Sequence, residues 1–170
     1  MSKNPFALDY SQEPPKTGRE ALERCSALFP VDDLEWKIQT AAKGDLPSWA
    51  QVVCYVSARA IMSRLDEVFD LDWHADWEET AKGIRCTITA RIPGTDRWVS
   101  RSDVSEWHGG DNGYKATHSY ALKRAAVHYG IGRYLYSLEA TWADKPTKQR
   151  PNAPVVLRGK GYYCGLNPLR

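Results

Sequence analysis

The chain has 170 residues, 42% of them hydrophobic and seven of them tryptophan, which is enough for one folded domain and too apolar for a disordered polymer. Its 23 basic and 21 acidic residues leave a formal charge of only +2, so the protein is not basic throughout. No apolar run is long enough to span a membrane, and Met-Ser-Lys-Asn-Pro-Phe at the N-terminus has no leader core, so a cytoplasmic chain is expected.

Residues 1–16 carry Pro5, Pro14 and Pro15 with little apolar content and read as a flexible lead-in. Thr17 is a candidate cap for a helix over 18–29, with Ala21, Leu22, Cys25 and Leu28 on one face and Pro30 as its limit. Leu34–Ala41 and Trp49–Val56 read as two strands around the turn-rich Lys43-Gly-Asp-Leu-Pro47. Ser57 caps a second helix to about Phe69, where Ile61, Met62, Leu65, Val68 and Phe69 recur at helical spacing and Arg59 lies roughly opposite them.

Trp73–Thr80 resumes extended structure, and Lys82-Gly83 turns the chain. Ile84, Cys86, Ile88, Ala90 and Ile92 then alternate with Arg85, Thr87, Thr89 and Arg91, the signature of a strand with one buried face. Pro93-Gly-Thr-Asp96 makes a hairpin connection to a return strand over Arg97–Val104. After the glycine-rich Trp107–Gly113 loop, a third helix is expected over 115–129, stopped or bent by Gly130 and Gly132, with a short helical piece over Arg133–Leu138. From Asp144 onward six basic residues stand against one acid among several prolines, which reads as a basic C-terminal arm over 144–170. The element order predicts an α+β fold with an antiparallel sheet and one long helix packed on it, in a single domain over 17–143.

Chemistry-bearing groups are few. Cys25, Cys54, Cys86 and Cys164 are irregularly spaced and form no Cys-x-x-Cys pair, so buried reduced thiols are expected rather than a zinc ribbon or redox motif. His108, Asp111 and His118 fit no metal-ligand spacing, no phosphate-loop motif is present, and no Gly-x-Ser-x-Gly elbow occurs. Neither a cofactor nor a catalytic residue is therefore assigned. Asp66, Glu67, Asp70, Asp72, Asp76, Glu78 and Glu79 form an acidic stretch that reads as solvated surface or as a patch for a basic neighbouring subunit.

Positive charge is concentrated instead. Between Asn112 and Leu138 there is no acidic residue, while Lys115, Lys123, Arg124 and Arg133 supply +4. Four tyrosines lie in Tyr120–Tyr136. On a helical wheel Ala121, Leu122, Ala125, Ala126 and Tyr129 gather on one side and Tyr120, Lys123, Arg124 and Val127 on the other. A solvated helix face normally mixes signs, and this window offers Lys123 and Arg124 no carboxylate. Clustered cations with aromatic rings suit phosphates and unpaired bases, so nucleic-acid contact is the favoured reading. Arg85, Arg91, Arg97 and Arg101 on neighbouring strands are a second candidate, with Arg85 and Arg91 firmly on one side of the sheet.

Three segments carry a family resemblance. Val53-Cys-Tyr-Val-Ser-Ala-Arg-Ala-Ile-Met-Ser-Arg-Leu-Asp-Glu-Val-Phe69 with Trp73, then Trp98-Val-Ser-Arg-Ser-Asp-Val104, then Ala121-Leu-Lys-Arg-Ala-Ala-Val-His-Tyr-Gly130 occur in an order that resembles the Rad52/Rad22 single-strand annealing family. The Gly-Ile-Gly-Arg-Tyr-Leu-Tyr ending is most similar to its bacterial and phage branch, which includes the DdrA group. The resemblance covers roughly 17–142. It implies a β-β-β-α core, a homo-oligomeric ring, and single-stranded DNA held in a positive groove by its backbone and annealed without ATP in recombination and repair. It also implies partners among recombination factors such as single-stranded DNA-binding protein, and no membrane role.

By that resemblance Lys123 and Arg124 match a groove-lining pair, and Arg59 falls within one position of a groove arginine. Val127 stands where a further basic residue is usual, leaving Arg133 or the sheet arginines to supply that charge. The expected DNA-binding set is Lys123, Arg124, Arg59, Lys115, Arg133, Arg85, Arg91, Arg101 and Tyr120. Two rival readings stay open: a module for duplex RNA, and a small metal-dependent hydrolase built on the acidic stretch.

Overall fold

The computed structural model describes residues 13–41 and 49–144. The elements in chain order are α1 (Gly18–Ser26), β1 (Leu34–Ala41), β2 (Trp49–Val56), α2 (Ala58–Phe69), β3 (Trp73–Thr80), β4 (Gly83–Arg91), β5 (Trp98–Glu106), α3 (Gly113–Val127) and β6 (Thr141–Asp144). Single 3-10 turns occupy Val31–Asp33 and Arg133–Ser137. The first twelve residues of the lead-in, the Lys43–Pro47 turn, Cys164 and the arm beyond Asp144 lie outside the described residues. No described helix is long and apolar enough to cross a membrane.

The fold is α+β with two three-stranded antiparallel sheets, ordered β1-β2-β6 and β3-β4-β5, where one sheet was expected. Contacts divide the chain into two units, one running up to Phe29 and over Ser57–Arg133, the other over Pro30–Val56 and from Tyr134 on. The helix expected to pack on the sheet, α3, has 15 residues.

The larger unit is built as the caps and periodicities require. Thr17 accepts the Glu20 amide at 3.2 Å and starts α1; Ser57 accepts the Ala60 amide at 3.1 Å and starts α2. α1 stops earlier than Pro30 demands. Its last carbonyls are taken by Arg64 of α2, whose Nη1 donates to Arg24 O at 2.8 Å and Ala27 O at 3.0 Å. Arg64 is buried, with Glu67 3.2 Å from its Nε and its guanidinium 4.5 Å from the centre of the Phe29 ring.

The β3–β4 hairpin closes through two residues, which fixes the register from Thr80↔Gly83 to Trp73↔Ala90. β4 buries Ile84, Cys86, Ile88 and Ala90 and turns Arg85, Thr87, Thr89 and Arg91 the other way. With Ile61 and Leu65 of α2 and Ala121, Leu122, Ala125 and Ala126 of α3, they form the core. Each large aliphatic side chain there contributes about 1.5–3 kcal/mol. Burial pushes the thiols of Cys25 and Cys86 up to about 12.

In the smaller unit β1 and β2 pair from Leu34↔Val56 to Ala41↔Ala50, with a bulge between Ile38 and Thr40. Val52, Cys54 and Val56 are its buried side chains on β2, and burial raises Cys54 to about 11. β6 pairs with β2 from Trp49↔Asp144 to Val52↔Thr141. This strand was not expected from the sequence.

Candidate nucleic-acid interface

α3 is positioned by both of its ends. At Gly113 a Cβ would lie 2.0 Å from His108 O, so only glycine lets the chain enter the helix this close to the preceding loop. Thr117 Oγ1 donates to Gly113 O at 2.8 Å and accepts the His108 amide at 3.1 Å, tying that loop to the first turn. The helix therefore begins at Gly113 and ends at Val127, two residues earlier than its spacing suggested. At the far end Gly130 has φ +96°. The Tyr129 hydroxyl hydrogen-bonds Ile88 O at 3.0 Å and reaches Val99 O, fastening the helix terminus to the sheet. Burial pushes the Tyr129 phenol up to about 12.

The alanine stripe of α3 faces the sheet, and small side chains let the helix lie close on β4 and β5. The outward side then carries Tyr120, Lys123, Arg124 and Val127, as the wheel predicted. Lys123 Nζ sits 4.2 Å from the centre of the Tyr120 ring. His108 also meets that ring, with centroids 4.4 Å apart. Together they form a cation–aromatic column along the helix.

Arg124 departs from expectation. Its Nε and Nη2 donate to Asp103 Oδ1 of β5 at 3.2 and 3.1 Å. The other oxygen, Oδ2, lies 3.4 Å from His128 Nε2. The window free of acids in sequence is thus not free of acids in space, because the β5 register brings a carboxylate beside it. On Asp103 burial acts to raise the carboxyl, but the Val104 amide, Arg124 and His128 outweigh it and hold the group below its ordinary value.

Arg101 joins this side. Ile88↔Arg101 and Cys86↔Asp103 are cross-strand pairs, and Ile88 and Cys86 are buried against α3. Cross-strand partners share a face, so Arg101 and Asp103 lie on the helix side of the sheet. Arg97, Arg101 and His128 rim a cleft whose walls include Leu22, Val99 and Tyr129.

Arg85 and Arg91 lie on the opposite face. Arg85 Nη1 is 2.7 Å from Glu78, and Arg91 is bonded through Nε and Nη2 to Asp72. These two arginines are therefore separated from α3 by the sheet, and each has a carboxylate across the hairpin. Arg59 is exposed on the first turn of α2. Lys115 is exposed on the first turn of α3, where its carbonyl accepts Ser119 Oγ at 3.1 Å. Arg133 donates to Val127 O at 3.0 and 2.9 Å and to His128 O at 3.3 Å. It caps the negative end of α3 while its side chain stays at the surface.

The acidic stretch is dispersed into local pairs. Asp66 accepts Trp73 Nε1 at 2.8 Å, Glu67 meets Arg64, Asp72 meets Arg91, Glu78 meets Arg85, and Glu79 accepts the Tyr114 hydroxyl at 3.1 Å. Among the described residues no three His, Cys, Asp or Glu side chains gather as a metal site. His118, a weighed ligand, packs instead on Tyr114 with centroids 4.4 Å apart. Sequence reasoning missed Asp103, His108 and His128 as neighbours of the basic pair. It also missed a row of rings, Trp107, Tyr114, His118 and Trp77, that runs beside the start of α3 with centroid spacings of 4.4 to 6.2 Å.

Residues 102–153 match the Rad52/22 family of double-strand break repair proteins, a segment that holds Asp103 and all of α3. The single-stranded DNA-binding protein DdrA of Deinococcus radiodurans is 39% identical over 145 residues, covering 82% of this chain and 68% of the relative. Its namesake from Deinococcus deserti is 38% identical over 141 residues, covering 81% and 68%. No solved structure gives a significant match.

Proposed function

Because the chain belongs to the Rad52/22 family, we propose that it binds single-stranded DNA and anneals complementary strands without ATP, acting in recombination and repair. The observation that carries this reading is the outward side of α3. There Lys123 rests on Tyr120 and Arg124 stands beside it, within the segment that matches the family. Annealing needs a strand gripped by its phosphates so that base edges stay free to pair. Cations on a helix backed by a rigid sheet meet that need, and the rings of Tyr120 and His108 offer sequence-tolerant stacking.

One protomer supplies few such contacts. A homo-oligomer repeating the α3 surface along one strand raises avidity with no new chemistry, and a ring is the arrangement we infer. Residues 17–143 would form the annealing domain, the arm over 144–170 would add diffuse attraction to the same polyanion, and the protein would act as a binder rather than an enzyme.

The experiment mixes the purified chain with labelled complementary oligonucleotides and no nucleotide, and images the particles formed. Annealing faster than the spontaneous rate is expected, with affinity falling as log salt rises at a slope near −0.7 per neutralised phosphate. A protein that stays monomeric and ignores unpaired DNA in dilute buffer sinks the proposal. Stronger binding to duplex RNA than to single-stranded DNA would replace it with the RNA reading.

A further inference from the structure

The geometry points to Asp103 as a built-in competitor for the DNA backbone: its carboxylate occupies the place on Arg124 that a phosphate oxygen would take, and so sets how tightly a strand is held. This inference rests on the reading of α3 as the strand-binding surface. It concerns a residue outside the expected DNA-binding set.

Three observations carry it. First, the guanidinium is engaged edge-on, with Nε and Nη2 both on Oδ1 at 3.2 and 3.1 Å. That edge is the one arginine offers to phosphates, so a carboxylate and a phosphate compete for it directly. Second, the competitor is anchored. The Val104 amide donates to the same Oδ1 at 2.7 Å, which keeps the carboxylate with β5 when Arg124 swings toward a ligand. Third, the pair is within reach, with the side chain of Arg124 47% exposed and that of Asp103 26%. When Arg124 leaves, His128 Nε2 remains 3.4 Å from Oδ2, so the anion keeps one neighbour.

The consequence is a weaker grip than the cation count suggests. Each protomer presents Arg124 already neutralised, and a phosphate must displace Asp103 to use it. Weak individual contacts repeated around an assembly hold a strand yet let it shift register, which a search for complementarity needs.

A different role would place Asp103 as the group that aims Arg124 at the strand, and the two roles predict opposite signs. The test uses the full chain and an unlabelled-competitor-checked fluorescent oligothymidylate, titrated across a salt series. Asp103→Asn keeps an oxygen for the Val104 amide and removes the charge. It should tighten binding roughly two- to fivefold, the range of an exposed ion pair released. It should also steepen the log–log salt slope by about 0.7 per contact. In an Arg124→Ala background the same substitution should change nothing. Asp103→Ser, with a thermal melt for each variant, guards against a folding defect in the asparagine form.

Binding by Asp103→Asn equal to or weaker than wild type overturns the inference in favour of aiming. A gain that persists without Arg124 also overturns it, since that would be a general charge effect. If wild type binds and Arg124→Ala binds equally well, the inference falls while strand binding stands. If wild type ignores single-stranded DNA, both fall.

Discussion

On the outer face of the β3–β4–β5 sheet, Arg85 lies against Glu78 and Arg91 against Asp72, each pair spanning one hairpin. On the helix side of the same sheet, Arg124 and His128 share the carboxylate of Asp103, Arg101 lies on the same face, and Lys123 lies over a ring. Both faces are rich in arginine. On the outer face each of these arginines meets a carboxylate of its own hairpin, whereas on the helix side Arg124 and His128 share Asp103. Charge composition alone does not make a polyanion site; what matters is whether the strand register supplies a counter-charge for every cation. Exposed pairs such as those on the outer face stabilise little.

The comparison breaks most visibly if the helix side is silent. Lys123→Ala combined with Arg124→Ala should lower single-stranded DNA affinity roughly tenfold or more and flatten its salt dependence, read by anisotropy across a salt series. Next in size is the converse on the outer face. Arg85→Ala and Arg91→Ala should each bind within about twofold of wild type, since only diffuse charge is lost, and should melt near the wild-type temperature. A loss on the outer face matching that on α3 would mean that the strand runs over the open sheet.

The smallest effect sharpens the electrostatics of the helix side. Asp103 has a folded-state pKa below its ordinary 3.8. Its contribution to stability is therefore fully present above that value and fades as pH falls through the lower, folded one. Melting temperature against pH should consequently fall less steeply in acid for Asp103→Asn than for wild type.

Much of this was legible in the sequence. The bounds of β1, β2, β3 and α2 follow from periodicity, and the Thr17 and Ser57 caps that start α1 and α2 both make their hydrogen bonds. The alternation over Ile84–Arg91 gave the buried face of β4 residue by residue. What stayed hidden depends on register between distant segments. Asp103 and Arg124 are 21 residues apart, on different elements, and no local pattern pairs them. β6 has four residues and finds its partner far back in the chain, at β2. Nothing local says that β1 and β2 form a sheet separate from β3, β4 and β5. The Arg85–Glu78 and Arg91–Asp72 pairs were within reach, because a two-residue turn after Thr80 fixes which residues of the hairpin face each other.

The three described cysteines carry a consequence for durability. Cys25, Cys54 and Cys86 are buried, with thiols raised to about 12, 11 and 12. Only the thiolate reacts, and burial holds these thiols in the protonated form at neutral pH. Peroxides and alkylating reagents would find almost nothing to attack while the fold is closed. Labelling of these sulfurs then becomes a clock for opening, and oxidative damage here would be a sign that the protein had first come apart.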